Sequence, residues 1–112
     1  MALPPTTESS EYATWLVQQQ SERLEKLTEL SLSGHWQQLS SLGRALHTCQ
    51  SLTCLDLSRN GLVSLQGLQT LHALRQLNVY YNVIGRLAEI DRLRQHPALE
   101  VLDMRALLSH KL

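Results

Sequence analysis

The sequence predicts a fold of the α/β class, a solenoid of short parallel strands with a helix covering its N-terminal end. Two observations lead to this prediction. The stretch LDLSRNGLVSL at residues 55–65 recurs 22 residues later as LNVYYNVIGRL. Its leucines are spaced neither as on a helix, three and four apart over many turns, nor as on a half-buried strand, which would alternate for longer. An asparagine, Asn60 or Asn82, holds the same place in both copies.

The two copies share a frame of apolar positions and one asparagine. The matched pairs are Leu52/Leu74, Leu55/Leu77, Leu57/Val79, Asn60/Asn82, Leu62/Ile84, Leu65/Leu87 and Leu68/Ile90. This frame, LxxLxLxxNxLxxLxxL, is the signature of the leucine-rich repeat. Each LxL segment is therefore expected to be a short strand. Successive strands are expected to stack in parallel, about 4.8 Å apart, as a segment of a horseshoe.

Weaker copies of the frame flank this pair, so residues 27–112 are expected to hold about four units. The frame residues of the first and last copies, each followed by the residue in the asparagine position, are Leu27, Leu30, Leu32 and His35, and Leu99, Leu102, Met104 and Leu107. The offsets between matching strand leucines are 25, 22 and 25 residues. Terminal repeats are commonly degenerate, and the last unit is expected to be incomplete.

Asn60 and Asn82 are expected to form a structural ladder between repeats. The chain must turn sharply after each strand, and the turn leaves backbone N–H and C=O groups buried. An asparagine amide offers both a donor and an acceptor, so it can bond the turns of its own and of the neighbouring repeat. His35 can imitate it in part. Leu107 cannot, so we expect the last unit to be poorly closed.

Residues 1–27 are expected to form a flexible leader and a capping helix. Pro4 and Pro5 oppose regular structure in the leader, residues 1–8. Residues 9–27 have serines that can cap a helix and apolar clusters at helical spacing, and this helix would cover the end of the first repeat. The alternative is a helix that lies on a membrane or binds a partner. Its polar face is not basic, which disfavours the membrane version.

The segments that return from one strand to the next differ in pattern. Residues 40–50 and 66–73 are expected to be short helical or irregular turns. Residues 86–99 have a helical pattern that stops near Pro97.

The composition narrows the function classes. The chain has 112 residues, which predicts one domain. Its 10 basic and 10 acidic side chains give no overall attraction to nucleic acid or anionic lipid. The charges are uneven, with six acids and three bases in residues 1–56 and four acids and seven bases in residues 57–112. No bilayer-spanning run and no signal-peptide pattern is present, so a cytoplasmic location is expected.

No sequence pattern typical of catalysis, cofactor binding or metal binding occurs. The five histidines have neither HxxxH spacing nor a CxxC pair for company. There is no glycine-rich phosphate loop and no GxSxG motif. We therefore expect no enzyme activity, no cofactor and no metal.

The side chains that alternate with the core leucines are the candidates for binding a partner, because they point to the concave face of the sheet. Tyr80 and Tyr81 stand together, with Arg59 and Arg105 in neighbouring columns. Tyrosine and arginine are enriched in interface hot spots. The predicted protein-binding residues are Asp56, Arg59, Asn78, Tyr80, Tyr81, Asp103 and Arg105. It stays open whether one tyrosine packs over its neighbouring repeat for structural reasons instead.

Residues 51–93 match something more specific than the general repeat. LDLSRN, the LQGLQTL return, LNVYYN and LAEI together resemble the N-terminal repeats of a small family, the leucine-rich-repeat centrosomal proteins related to the seventy-two-kilodalton centrosomal protein. The resemblance spans residues 24–105. It implies a scaffold at the centrosome and its satellites that acts in spindle and microtubule organisation, with a long downstream region ending in a coiled coil. The chain departs from the family at RALLSHKL, where the family continues with an asparagine-proline pair and a capping segment.

The expected function is protein binding without catalysis, as the recognition part of a centrosomal or ciliary scaffold or adaptor involved in microtubule organisation. The expected partners are proteins, centrosomal or microtubule-associated, with no nucleic acid and no membrane. One rival is a phosphatase-regulatory or dynein-associated repeat module, which the composition of the concave face would separate. Another is a ribonucleoprotein subunit whose tyrosine pair stacks on bases. The net charge of zero disfavours the ribonucleoprotein subunit. Measuring how RNA binding depends on salt would separate this alternative from a protein-binding module.

Overall fold

The computed structural model describes residues 9–36, 38–94, 96 and 98–103. Their elements are, in chain order, α1 (Ser9–Gln18), a 3-10 turn (Leu24–Lys26), β1 (Glu29–Ser31), β2 (Cys54–Asp56), β3 (Gln76–Asn78), α2 (Leu87–Arg94) and β4 (Val101–Asp103). The predicted flexible leader, residues 1–8, lies outside the described residues. So do Arg105 and the predicted poor closure of the last unit at Leu107.

Four short strands form one parallel sheet in chain order, β1-β2-β3-β4. The middle leucines of the strands pair in register, Leu30 with Leu55, Leu55 with Leu77 and Leu77 with Leu102. These pairs reproduce the offsets of 25, 22 and 25 residues that the repeat frame predicts. The α/β class with short parallel strands is therefore confirmed.

Backbone hydrogen bonds between repeats continue past the ends of the strands. After β2, the N–H group of Leu57 donates to the carbonyl of Asn78 at 2.7 Å, and that of Arg59 donates to the carbonyl of Tyr80 at 2.8 Å. Equivalent bonds join the first repeat to the second. The turns after the strands are thus held together as regularly as the strands themselves.

Among the described residues, the core consists of apolar layers contributed by the first three repeats. The middle residue of β1, β2 and β3 is buried, whereas the residues on either side of it are exposed or half-buried. Leu57 and Leu62 are fully buried, as are their counterparts Val79 and Ile84 in the next repeat. Burial of these side chains is the main force that holds the repeats together.

The return segments match the expected patterns. Residues 40–50 and 66–73 are turns in which N–H groups bond carbonyls three residues earlier, as Ala45 does with Leu42 at 3.0 Å. In the third repeat the return is helix α2, which lies within the predicted residues 86–99.

Helix α1 is shorter than the predicted residues 9–27 and ends at Gln18. Residues 18–23 read QQQSER and offer no apolar side chain to pack. The side-chain amides of Gln19 and Gln20 donate to carbonyls of the last helical turn at 3.2 and 3.0 Å. The backbone N–H group of Gln19 also donates to these two carbonyls, both at 3.2 Å, so the side-chain amides reinforce the last turn where the helix ends.

Helix α1 packs its apolar face into the same core as the repeats. Ala13 and Val17 are fully buried, and Leu16 is nearly so. The hydroxyl of Tyr12 lies 3.0 Å from Nδ1 of His35. The His35 ring, which stands at the asparagine position, therefore bonds α1 to the first repeat.

Candidate protein-binding surface

The turn after each of two strands begins with a side chain that bonds the backbone two residues further on. Oδ1 of Asp56 accepts from the N–H group of Ser58 at 2.9 Å, and Oδ1 of Asn78 accepts from that of Tyr80 at 2.8 Å. Such Asx turns redirect the chain off the strand. Two predicted binding residues therefore have a structural role that the sequence analysis missed. The sequence feature that could have predicted this role is an Asp or Asn at the last strand position of successive repeats. Asp103 holds the same position in β4.

The backbone then adopts a left-handed conformation at the same position of three repeats. The φ angles are 87° at Gly34, 58° at Arg59 and 61° at Tyr81. Each of these residues directly precedes the asparagine position. A left-handed conformation costs a residue other than glycine about 1–2 kcal/mol. The fold thus holds Arg59 and Tyr81 in strained conformations that leave both side chains exposed.

Asn60 closes the turn that follows. Its Nδ2 donates to the carbonyl of Leu57 in its own repeat at 2.8 Å and to that of Leu32 in the preceding repeat at 3.0 Å. Its Oδ1 accepts from the backbone N–H group of His35 at 2.7 Å. The side chain is completely buried.

Asn82 bonds the equivalent two carbonyls one repeat further along, and its Oδ1 accepts from a different position of the preceding repeat. Its Nδ2 donates to the carbonyls of Val79 and Leu57 at 3.0 and 2.9 Å, and its Oδ1 accepts from the N–H group of Leu62 at 3.0 Å. The predicted asparagine ladder consists of contacts of this kind, between an amide and the turns of its own and of the neighbouring repeat. Together the two amides hold the turns in place and so position the exposed residues beside them.

The rings and the guanidinium exposed by these turns lie side by side. The centroid of Trp36 is 5.9 Å from that of Tyr81, which is 5.8 Å from that of Tyr80, and both ring pairs are edge-to-face. The guanidinium carbon of Arg59 lies 5.6 Å from the centroid of the Tyr80 ring, a cation–π distance. We call Trp36, Tyr81, Tyr80 and Arg59 the aromatic strip.

The aromatic strip brings together three of the predicted binding residues and adds Trp36, which was not predicted. The sequence feature that could have identified Trp36 is its alignment with Gly61 of the next repeat. A Cβ atom at Gly61 would come within 2.6 Å of the carbonyl oxygen of Trp36, so only glycine lets the two turns approach. The fourth predicted member of this patch, Arg105, lies outside the described residues. Of Asp103 the structure describes only the backbone, paired with Asn78.

A shallow groove of about 610 Å³ runs across β1, β2 and β3 on the face that flanks the core leucines. Its polar side chains are Glu29, Ser31, Cys54, Asp56, Gln76 and Asn78. The thiol of Cys54 donates to Oε1 of Gln76 at 3.4 Å. The groove adjoins the aromatic strip through the turns that follow Asp56 and Asn78. It is polar, with two carboxylates, whereas the strip is apolar with one cation.

Glu89 is a buried carboxylate that the sequence analysis did not single out. It lies in the first turn of α2, and Oε1 accepts from the N–H group of Leu65 at 3.0 Å, from the hydroxyl of Ser64 at 2.8 Å and from Nε of Arg92 at 3.0 Å. Burial alone would raise the pKa of Glu89, but these donors outweigh it and lower the pKa below its ordinary value. Glu89 therefore attaches α2 to the preceding repeat.

The described side chains of this surface are suited to contact with a binding partner. Within the described ranges, no three His, Cys, Asp or Glu side chains cluster as they would to hold a metal ion. The same part of the chain contains no helix with the length and apolar character to cross a membrane. Cys49 and Cys54 are free thiols, and burial raises the pKa of the Cys49 thiol.

Comparison with known proteins identifies relatives that share most of this chain. No protein-family model matches it. Leucine-rich repeat-containing protein 36 of Mus musculus is 45% identical over 85 residues, which are 75% of this chain and 11% of the relative. Centrosomal protein of 72 kDa of Mus musculus is 48% identical over 82 residues, 72% of this chain and 12% of the relative. The human form of the former is 44% identical over 85 residues, 75% of this chain and 11% of the relative.

These matches bear on the family that the motifs LDLSRN and LNVYYN resemble. The named relatives include the Centrosomal protein of 72 kDa, so the resemblance is confirmed. The match covers only about a tenth of the length of each relative.

Proposed function

Because the chain is a homologue of the leucine-rich-repeat proteins related to the Centrosomal protein of 72 kDa, we propose that it is a repeat solenoid that binds another protein and catalyses no reaction. Its strands pair at offsets of 25, 22 and 25 residues, and two buried asparagines join consecutive repeats. Both observations support a repeating stack. In this proposal α1 and the segment up to residue 27 cap the first repeat, which is consistent with the buried face of α1.

The observation that carries the binding function is the exposure of the aromatic strip. Trp36 is 47% exposed and Tyr81 is 50% exposed, although both are large apolar rings. Tyr81 and Arg59 also occupy left-handed conformations that glycine would adopt without strain. Strained residues that persist on a surface point to a function for their side chains. The groove beside the strip, with Asp56 and Asn78, would extend the contact area.

The proposed location follows from a relative's name. The Centrosomal protein of 72 kDa is, by that name, a centrosomal protein. We extend that location, and a scaffold or adaptor role in microtubule organisation, to this chain as part of the proposal. A tagged copy of the 112-residue chain should colocalise with a centrosomal marker. A uniform distribution of the tagged chain would argue against this part of the proposal alone.

An affinity capture with a matched pair of variants tests the binding function. The 112-residue chain is immobilised and incubated with cell extract, beside the double variant Trp36→Ala and Tyr81→Ala. Proteins retained by the parent should be lost from the double variant by at least about tenfold. Val63→Ala is the control, because Val63 is 55% exposed and lies outside the strip. Equal retention by all three proteins would contradict the proposed surface, and no specific retention by the parent would contradict the function.

A further inference from the structure

The guanidinium of Arg59 differs from those of two other arginines in the described repeats. Arg75 pairs with Glu100 at 2.8 Å, and Arg92 pairs with Glu89 at 3.0 Å. Arg59 is exposed and lies over the ring of Tyr80. Among the described residues its guanidinium forms no ion pair. Tyr80 therefore orients a cation whose hydrogen-bond donors stay available.

The other half of the aromatic strip offers apolar area instead of charge. Trp36 and Tyr81 meet edge-to-face at an interplanar angle of 62°, and each exposes about half of its surface. Two rings in edge-to-face contact present one joined apolar surface, on which a flat or branched apolar side chain can pack. The rings of Tyr81 and Tyr80 continue the row towards Arg59 at an angle of 63°.

On the premise of the proposed function, we infer that the aromatic strip recognises an extended segment of a partner protein in which an acidic residue lies a few positions from a large apolar one. Arg59 receives the carboxylate in a charge-assisted hydrogen bond. The exposed surface of Trp36 and Tyr81 receives the apolar side chain. The segment runs along the row of side chains, from Trp36 and Tyr81 past Tyr80 to Arg59.

The charges around the aromatic strip favour an acidic partner segment over a basic one. A cation already covers the Tyr80 ring, so a lysine or arginine brought to that ring would be repelled by Arg59. The neighbouring groove carries the carboxylates of Glu29 and Asp56. These repel an acidic side chain from the groove and confine it to the strip. Among the described residues of this face, an acidic side chain is therefore favoured at Arg59.

Selection from a random peptide library displayed on phage tests the inference. The 112-residue chain and the variants Arg59→Glu and Trp36→Ala are each used as bait. The parent should enrich peptides that combine Asp or Glu with Trp, Phe, Leu or Pro. Arg59→Glu should bind these peptides at least about tenfold more weakly and should enrich Lys or Arg instead. Trp36→Ala should weaken the binding of both peptide sets.

Arg44→Glu is the matched control, an exposed arginine in the return segment of residues 40–50, and it should select the same peptides as the parent. Enrichment of basic or uncharged peptides by the parent would overturn the inference. So would acidic peptides that bind Arg59→Glu unchanged, or the absence of any enriched peptide. If the affinity capture retains a partner regardless of the strip, the protein-binding function stands and this inference fails. If neither method finds a binder, both fail.

Discussion

At the scale of single residues, two asparagines hold consecutive repeats together by hydrogen bonds. Asn60 and Asn82 are 0% and 1% exposed, and each makes three hydrogen bonds that reach its own and the preceding repeat. Removal of either amide leaves one carbonyl group and one N–H group of the turns without their partner, while the carbonyl of Leu57 keeps a bond from the other asparagine. Buried polar groups without partners are costly because water cannot replace the lost bonds.

Asn60→Ala and Asn82→Ala should each lower the free energy of unfolding by about 1–3 kcal/mol. Urea denaturation followed by circular dichroism measures the change. Gln50→Ala is the control, since its amide bonds the carbonyl of His47 at an exposed site. That variant should stay within about 0.5 kcal/mol of the parent. If the asparagine variants had the same free energy of unfolding as the control, the turns would be shown to close without these amides.

The left-handed positions predict a second residue-scale effect. Arg59→Gly relieves the backbone strain at φ 58°, whereas Arg59→Val places a β-branched residue where it is least tolerated. The valine variant should be less stable than the glycine variant by at least about 1 kcal/mol. Thermal unfolding of the two purified variants measures the difference. Equal stabilities would mean that the turn at residue 59 relaxes out of the left-handed region.

At the scale of elements, Glu89 determines how α2 is attached. Its carboxylate accepts from Ser64 and Leu65 of the preceding repeat and from Arg92 of its own helix. These bonds add to the apolar contacts of the same helix, in which Leu93 belongs to the core and Ile90 packs against it. In the repeat before, the return is made of turns and has no such carboxylate.

The lowered pKa of Glu89 predicts a pH dependence with a definite sign. A carboxyl whose pKa is lower in the folded than in the unfolded state contributes its full stability above the unfolded value, here 4.5. That contribution is lost as the pH falls through the lower folded value. Glu89→Gln should therefore cost about 1–3 kcal/mol at neutral pH and should unfold with a weaker acid dependence than the parent. Urea titrations at neutral and acidic pH measure both effects.

Parallel acid-dependence curves for Glu89→Gln and the parent would show that other carboxyl groups govern acid unfolding. Glu22→Gln supplies the control, because Glu22 is an exposed carboxyl group outside helix α2.

At the scale of the whole molecule, the sheet joins each strand only to its neighbours in the chain. Such a stack is stable through nearest-neighbour interfaces, so a defect in a middle repeat weakens both interfaces that it forms. Leu57 lies in the second repeat and is completely buried. Its neighbours on either side are the layers of Leu32 and Val79.

Leu57→Ala should lower the free energy of unfolding by about 2–5 kcal/mol through a cavity in this layer. Amide hydrogen exchange should quicken in β1 and β3 as well as in β2, because both neighbouring interfaces weaken. Val63→Ala, at an exposed position beside the same layer, should leave the exchange unchanged. Faster exchange confined to β2 would show that the repeats are stable independently of one another.

The candidate site was predictable in part. Tyr80, Tyr81 and Arg59 could be grouped because the repeat frame places them in adjacent columns, and they lie together in the structure. Trp36 could not be added from the frame alone. Its ring reaches Tyr81 across the second repeat because Gly61 lets the two turns approach, and such a distance depends on backbone conformation. The bonds that Asp56 and Asn78 make to the backbone were missed for the same reason.

The sequence by itself determined the class of the fold and the register of β1 to β4, because a frame of leucines at fixed offsets can bury its apolar side only by stacking in that register. Each strand begins and ends one residue before the LxL segment that predicted it. Only the tertiary structure decided where α1 ends, that the His35 ring bonds Tyr12, and that Glu89 bonds the preceding repeat. Each of these depends on which polar groups are left without partners once the repeats have packed. That information arises from positions in space between residues 23 to 25 apart in the chain, and no local pattern contains it.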